Sequence, residues 1–225
     1  MPTGSPARTN AKLTTVGSLG DDAWRAIDSS IGDCVLMLLD PDELARRRRA
    51  LRKLNSPHLR REVSVVAVPD HGPGLVTTFL PGSPLSMLDL GRRADGPREA
   101  LRIGLGLLEV LAHAHERGVV HGRLASRHVI VGESVGLVGF GQAPAGTTEA
   151  NDFGAVAAIL YEQITGEEWT SWAPRASYFR PALGRAFDDW LATLTDPERG
   201  FRNATEMKSA LRAVAGTMPP PPPAS

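Results

Sequence analysis

Cys34 is the only cysteine in 225 residues, so no intrachain disulfide can form and nothing asks for an oxidising compartment. Net charge is also missing. The 25 Lys and Arg balance 25 Asp and Glu, which removes any overall pull toward nucleic acid or an anionic membrane, so a charged partner must be met locally. No apolar stretch is long and uninterrupted enough to span a bilayer, and the opening MPTGSPARTNAK lacks the apolar core of a signal peptide. The expectation is a soluble cytoplasmic protein without direct membrane insertion, which can still dock on a membrane-associated partner. The six His show no ligand spacing with Cys, and His113 and His115, two apart on a helix, point to different faces. No metal is expected. What is present is ordinary globular composition, 42% hydrophobic and 22% charged, enough for one good core or a small two-lobed one.

Residues 1–12 are rich in Pro, Ser, Thr and Gly without an apolar period, which predicts a disordered lead. LTTVGSLGDDAWRAID follows as a hairpin with Gly17 and Gly20 before Asp21 and Asp22. CVLMLLD, Cys34 to Asp40, is an apolar run of strand length. Pro41 to Leu54 then reads as a helix, acidic in its first turn and basic later, with an apolar stripe of Leu44, Leu51 and Leu54. Its run Arg46 to Arg49 is either a solvated helix face or a nucleic-acid patch, and the rest of the chain does not extend a basic footprint. Two strands are predicted around a turn from Pro69 to Gly74, then a connector at Pro81-Gly82. From Pro97 to Gly118 the pattern is apolar nearly all round, so the spacing predicts a buried central helix. The end, GTMPPPPPAS, reads as extended polyproline II, a linker or a ligand for an aromatic groove.

The most specific stretch is VVHGRLASRHVIV, Val119 to Val131, followed by VGLVGFG, Val135 to Gly141. It resembles the catalytic core of a Ser/Thr protein kinase, whose catalytic loop reads H-R-D-L-x-x-x-N and whose metal-binding turn reads D-F-G. His121, Leu124 and the trio Val129, Ile130, Val131 fall in frame. The chemistry does not. Gly122 and Arg123 replace Arg-Asp, His128 replaces Asn, and Gly139 replaces the Asp before Phe140-Gly141. Upstream, the hairpin resembles the glycine-rich loop, with Asp21 and Asp22 brought toward the place of phosphates; Met37 stands at the Lys of V-A-I-K, and Arg47 at the Glu that pairs with it. LVTTFLPG is similar to the hinge between kinase lobes, with Thr77 and Thr78 near the back of an adenine pocket. Downstream, DFGAVAAILYEQITG resembles the kinase helix ending Y-E-L-L-T-G, matching at Tyr161, Glu162, Thr165 and Gly166. The resemblance implies that Asp152 caps this helix and holds the backbone of the catalytic loop. Its D-F-G spelling is accidental, because no strand precedes it. Asp196-Pro197 and Arg202 lie near the family's D-P-x-x-R; the A-P-E motif is gone, so Arg202 needs another partner.

The resemblance covers about residues 13 to 214 and implies an α+β, two-lobed fold: a β-rich N-lobe over 13–82, a mostly helical C-lobe over 83–215 and a Pro-rich tail over 216–225, with the activation segment truncated. Phosphoryl transfer needs metal ions, a carboxylate base and a phosphate-fixing Lys. Met37, Arg47, Arg123, His128 and Gly139 supply none of these, because Arg stays protonated, Gly139 has no ligand atom and Mg²⁺ prefers oxygen. Leu51, His121, Phe140 and Asp152 fall where the kinase regulatory spine and its anchor lie. The expectation is a pseudokinase without cofactor, a scaffolding or regulatory module bound to another protein and not to nucleic acid. Two alternatives stay open: a metal-independent nucleotide or anion sensor using Arg123 and His128, and an enzyme of altered kinase-fold chemistry. The expected partner surface is Trp169, Trp172, Tyr178, Phe179 and Arg180, aromatics with Arg being what interface hot spots favour, unless these rings only replace lost packing inside the lobe. The Arg46 to Arg49 helix is a competing surface for an acidic partner.

Overall fold

Five antiparallel strands, β1 (Leu13–Gly20), β2 (Ala23–Asp28), β3 (Gly32–Leu38), β4 (Glu62–Val68) and β5 (Gly72–Thr78), form a sheet in the order β1-β2-β3-β5-β4. The computed structural model describes residues 13–20, 22–170, 172–196 and 200–218. The predicted lead, Asp21, Pro197 and the prolines at 219–223 lie outside the described residues. β3 is apolar along most of its length because both of its faces are covered. Ala26 pairs with Cys34 and Leu36 with Val76, and these side chains share one face, where they pack with Leu13 and Val68. Alternation sends Val35 and Met37, opposite Thr77 and Leu75, to the other face. That face receives α1 (Pro41–Leu51), whose Arg47 and Arg48 reach Met37 and Glu62.

α1 begins where the sequence says it should. Asp40 caps it by accepting from Glu43 N–H at 2.8 Å, and Pro41 takes the first turn. It ends three residues before Leu54, because the N–H groups of Lys53 and Leu54 bond the carbonyls of Ala50 and Leu51, which tightens the last turn. Leu54 is nonetheless buried. The β4–β5 turn is also shorter than the sequence suggests, since β5 already starts at Gly72. Half of the basic run Arg46 to Arg49 is paired: Arg47 with Glu43 and Arg48 with Glu62, which Arg52 shares.

Contacts between Cα atoms group the described residues up to Pro81 with Phe140–Gln142 in one compact unit and put the remainder in a second. In the second, β6 (Ser83–Pro84), β7 (Val129–Val131) and β8 (Val135–Leu137) form a small antiparallel sheet. The long α2 (Gly96–His115) packs against β8, α3 (Glu149–Thr165) and α6 (Ala204–Thr217). Burial on nearly every side explains its nearly uninterrupted apolar pattern. Between α3 and α6 lie α4 (Ala176–Phe179) and α5 (Ala186–Thr195), where Trp190 stacks on Phe187 and donates to the Met207 carbonyl at 3.3 Å. Arg202 finds its partner one helical turn on, in Glu206. Among the described residues no helix is long and apolar enough to cross a membrane.

Candidate functional site

The loop between α2 and β7 hangs on one buried carboxylate. α3 starts three residues before Asp152: Thr148 is its N-cap, and the Asn151 side chain reaches back to accept from Thr148 N–H at 2.9 Å. Asp152 is therefore not the cap that the sequence suggests. It sits one turn inside, fully buried, and its oxygens face the loop: Oδ2 accepts from His121 N–H at 2.9 Å and Oδ1 from Gly122 N–H at 2.8 Å. His115 at the end of α2 completes the group, with Nε2 at 2.8 Å from Oδ2. From the sequence, His115 stands out only as a metal-ligand candidate. A fully buried carboxylate needs donors, but only the packing of α2 on α3 says which His supplies one.

His121 is held as a neutral imidazole. Its ring lies 2.8 Å through Nε2 from the Val138 carbonyl, which requires the proton on Nε2, and Nδ1 then accepts from Arg123 N–H at 3.3 Å. Burial pushes its pKa below the ordinary His value. Beside it stands His128, with ring centroids 5.1 Å apart. Gly139 closes this corner: at φ +97°, a β-carbon there would lie 3.2 Å from His128 Cδ2 and 3.3 Å from His121 Nε2. Neither the backbone nor the space welcomes a side chain. Gly122, at φ +72°, is equally constrained, for a β-carbon would come within 2.7 Å of Ala143 Cβ and 2.9 Å of Thr147 Cγ2. The short segment before α3 thus folds back onto the loop. Arg123 is exposed and, among the described residues, forms no ion pair.

In the first unit, Arg47 Nη1 donates to the Met37 sulfur at 3.5 Å, so the two residues that the sequence reading sets opposite each other touch. The charge of Arg47 is met by Glu43, which accepts from its Nε at 2.9 Å and its Nη2 at 2.8 Å. Gln142 donates to the same oxygen at 3.0 Å. Burial by itself would lift the Glu43 carboxyl, but the hydrogen bonds from Arg47 and Gln142 with the Arg47 charge outweigh it and hold the group below the usual range. Gly141 lies flat on α1, where a β-carbon would be 2.6 Å from Arg47 Cα. Glu43 and Gln142 are absent from the sequence reading, since nothing local marks a contact across 99 residues. Leu51 and Phe140 are buried in this unit, and His121 and Asp152 in the other.

No protein-family model matches the chain, and no curated protein does. Its structure is similar to the crystal structure of the PknI kinase domain of Mycobacterium tuberculosis, with a TM-score of 0.73 at 20% identity, over 93% of this chain and 98% of that one. The chain has a protein kinase-like fold. At that identity the likeness is one of fold, an α+β arrangement with a β-sheet region followed by a helical one.

Within this kinase-like fold the aromatic segment after α3 is outward-facing at two points. Trp172 is 92% exposed and Tyr178 78%. Tyr178 meets Phe179 edge-on, with centroids 5.3 Å apart. Trp169, Phe179 and Arg180 are partly covered, and Arg180 is committed, its Nε donating to the Ile164 carbonyl at 3.0 Å. The segment is tied down by Tyr161 Oη, which donates to the Pro174 carbonyl at 2.7 Å. A separate acidic cavity of about 430 Å³ opens among Leu90, Gly91, Asp89, Glu162, Glu167 and Glu168. None of the loop residues lines it.

Proposed function

We propose that this chain is a pseudokinase, a module of kinase-like fold that binds another protein and performs no phosphotransfer. Gly139 carries the reading. The turn that would present a metal-binding carboxylate has no side chain there, and two imidazoles crowd the position. Arg123 cannot act as a base, and the Met37–Arg47 contact leaves no ammonium to fix phosphates. Each lost group costs a factor of about 10² to 10⁴, so the combined loss removes the reaction. Charge pairing along Arg47, Arg48 and Arg52 argues against a nucleic-acid patch.

The partner surface we assign is the exposed pair Trp172 and Tyr178, because large rings held in water on a tied-down segment are what a partner would cover. A second reading rests on Arg123, whose exposed guanidinium suits a nucleotide or anion bound without metal. The test is incubation with labelled ATP and a generic acceptor in Mg²⁺ or Mn²⁺, together with melting curves at millimolar ATP. No incorporation and no ATP-Mg²⁺ shift are expected. Incorporation lost in Arg123→Ala overturns the proposal, and a metal-free shift lost in Arg123→Glu moves it to the second reading.

A further inference from the structure

Trp172 is the most exposed large apolar side chain among the described residues, yet its backbone is held. Its N–H donates to Thr170 Oγ1 at 3.3 Å, Ala173 N–H donates to the Thr170 carbonyl at 3.0 Å, and Tyr161 Oη donates to the Pro174 carbonyl. A large ring fixed in water marks a contact surface.

Packing within the second unit brings another segment of the chain to the same end. Both α3 and α6 run antiparallel to α2: His115 meets Asp152, Glu109 meets Lys208, and a β-carbon on Gly104 would lie 2.8 Å from Leu160 Cδ1 and 3.0 Å from Leu211 Cδ2. α3 ends five residues beyond Leu160 and α6 six beyond Leu211, so the two helices stop within one turn of each other. From α3 the chain runs through Trp172 and returns to Tyr161, the residue after Leu160. From α6 it leaves through Met218, whose φ of −69° and ψ of 136° are already those of polyproline II. Pro219 to Pro223 follow, outside the described residues. A run of five prolines spans about 15 Å, against about 10 to 12 Å for the width of a helix, so its reach is enough to cross one.

Proline and tryptophan suit each other. A polyproline helix is preformed, so docking it orders little chain, and aromatic-lined grooves receive its ring faces. No charged side chain follows Arg212, so Glu167 and Glu168 beside the aromatic segment neither attract nor repel the run. We propose that Pro219 to Pro223 fold back on the Trp172 ring of their own chain and mask it. The masking rests on the partner-surface reading for its consequence, which is that a partner using Trp172 must first displace the tail. The docking itself is read on the isolated chain, so it stands or falls apart from whether any partner binds.

Indole ¹H–¹⁵N spectra of the full chain test it, with the Trp172 signal identified by its loss in Trp172→Phe. A second protein carries Pro219→Gly, Pro220→Gly, Pro221→Gly, Pro222→Gly and Pro223→Gly, which keeps the length and removes the preformed helix. The Trp172 signal should move between the two proteins, while those of Trp24 and the buried Trp190 stay in place. A short tether supplies an effective concentration in the millimolar range, so even a contact of about 1 mM is roughly half occupied and remains so on dilution. The free peptide MPPPPPAS at about 10 mM should therefore bring the Trp172 signal of the glycine protein back toward the wild-type position. Identical Trp172 signals in the two proteins overturn the proposal. So does a wild-type signal that drifts to the glycine protein's position on dilution, since the occupant is then the tail of a second copy. A displacement shared equally by Trp190 also overturns it, because it reports a change in the helices and not docking on the ring.

Discussion

Asp152→Ala removes the group on which the loop after α2 hangs. The carboxylate is fully buried and meets three groups: His121 N–H at 2.9 Å, Gly122 N–H at 2.8 Å and His115 Nε2 at 2.8 Å. Alanine leaves two backbone donors without their acceptor, each worth about 1 to 3 kcal/mol when buried. The helix itself does not suffer, because its cap is Thr148 with Asn151 and alanine is the better helix former. The expected loss is about 3 to 5 kcal/mol. With a urea slope of about 2 to 3 kcal/mol/M for a chain of this size, the midpoint falls by about 1 to 2.5 M. Asp152→Asn keeps one carbonyl oxygen, so it should retain one of the two backbone bonds and lose roughly half as much. Urea titrations followed by far-UV circular dichroism, on the three proteins side by side, give the answer. A midpoint for Asp152→Ala equal to the wild type's refutes the anchoring role, and Asn worse than Ala refutes the hydrogen-bond account of it.

Gly139→Asp, which restores the missing carboxylate in name, should lower stability by about 1 to 3 kcal/mol and give no phosphotransfer, because the position sits at φ +97° against two imidazoles; a gain of labelled-phosphate incorporation would sink that argument. Acid should destabilise the fold in two stages. The His121 pKa is lowered in the folded state, so its contribution is present above the unfolded value of about 6.5 and declines as pH falls from there toward the folded value. Glu43, also lowered, contributes above about pH 4.5 and is lost below it. Midpoints measured from pH 8 to 3.5 check both, and the first stage should vanish in His121→Phe. Trp172→Ala and Tyr178→Ala should change stability by no more than about 0.5 kcal/mol, since both rings are in water; a large drop in melting temperature would return them to the core.

The order of elements around Val119 to Gly141 was readable along the chain, because strand alternation, helix period and turn residues act between neighbours a few positions apart. The same locality made α1 and its Asp40 cap plain. The start of α3 was half visible: any of Thr148, Asn151 and Asp152 suits an N-cap, and only the geometry shows Thr148 capping while Asp152 turns inward. What no local pattern could carry is partner choice. His115 meets Asp152 across 37 residues and Gln142 meets Glu43 across 99. The exposure of Trp172 is of the same kind. The sequence left Trp172 open between a partner surface and packing inside the lobe, and the structure leaves the ring in water, two residues before the Pro174 carbonyl that Tyr161 holds. Local periodicity set the elements, and tertiary packing decided which side chains were answered.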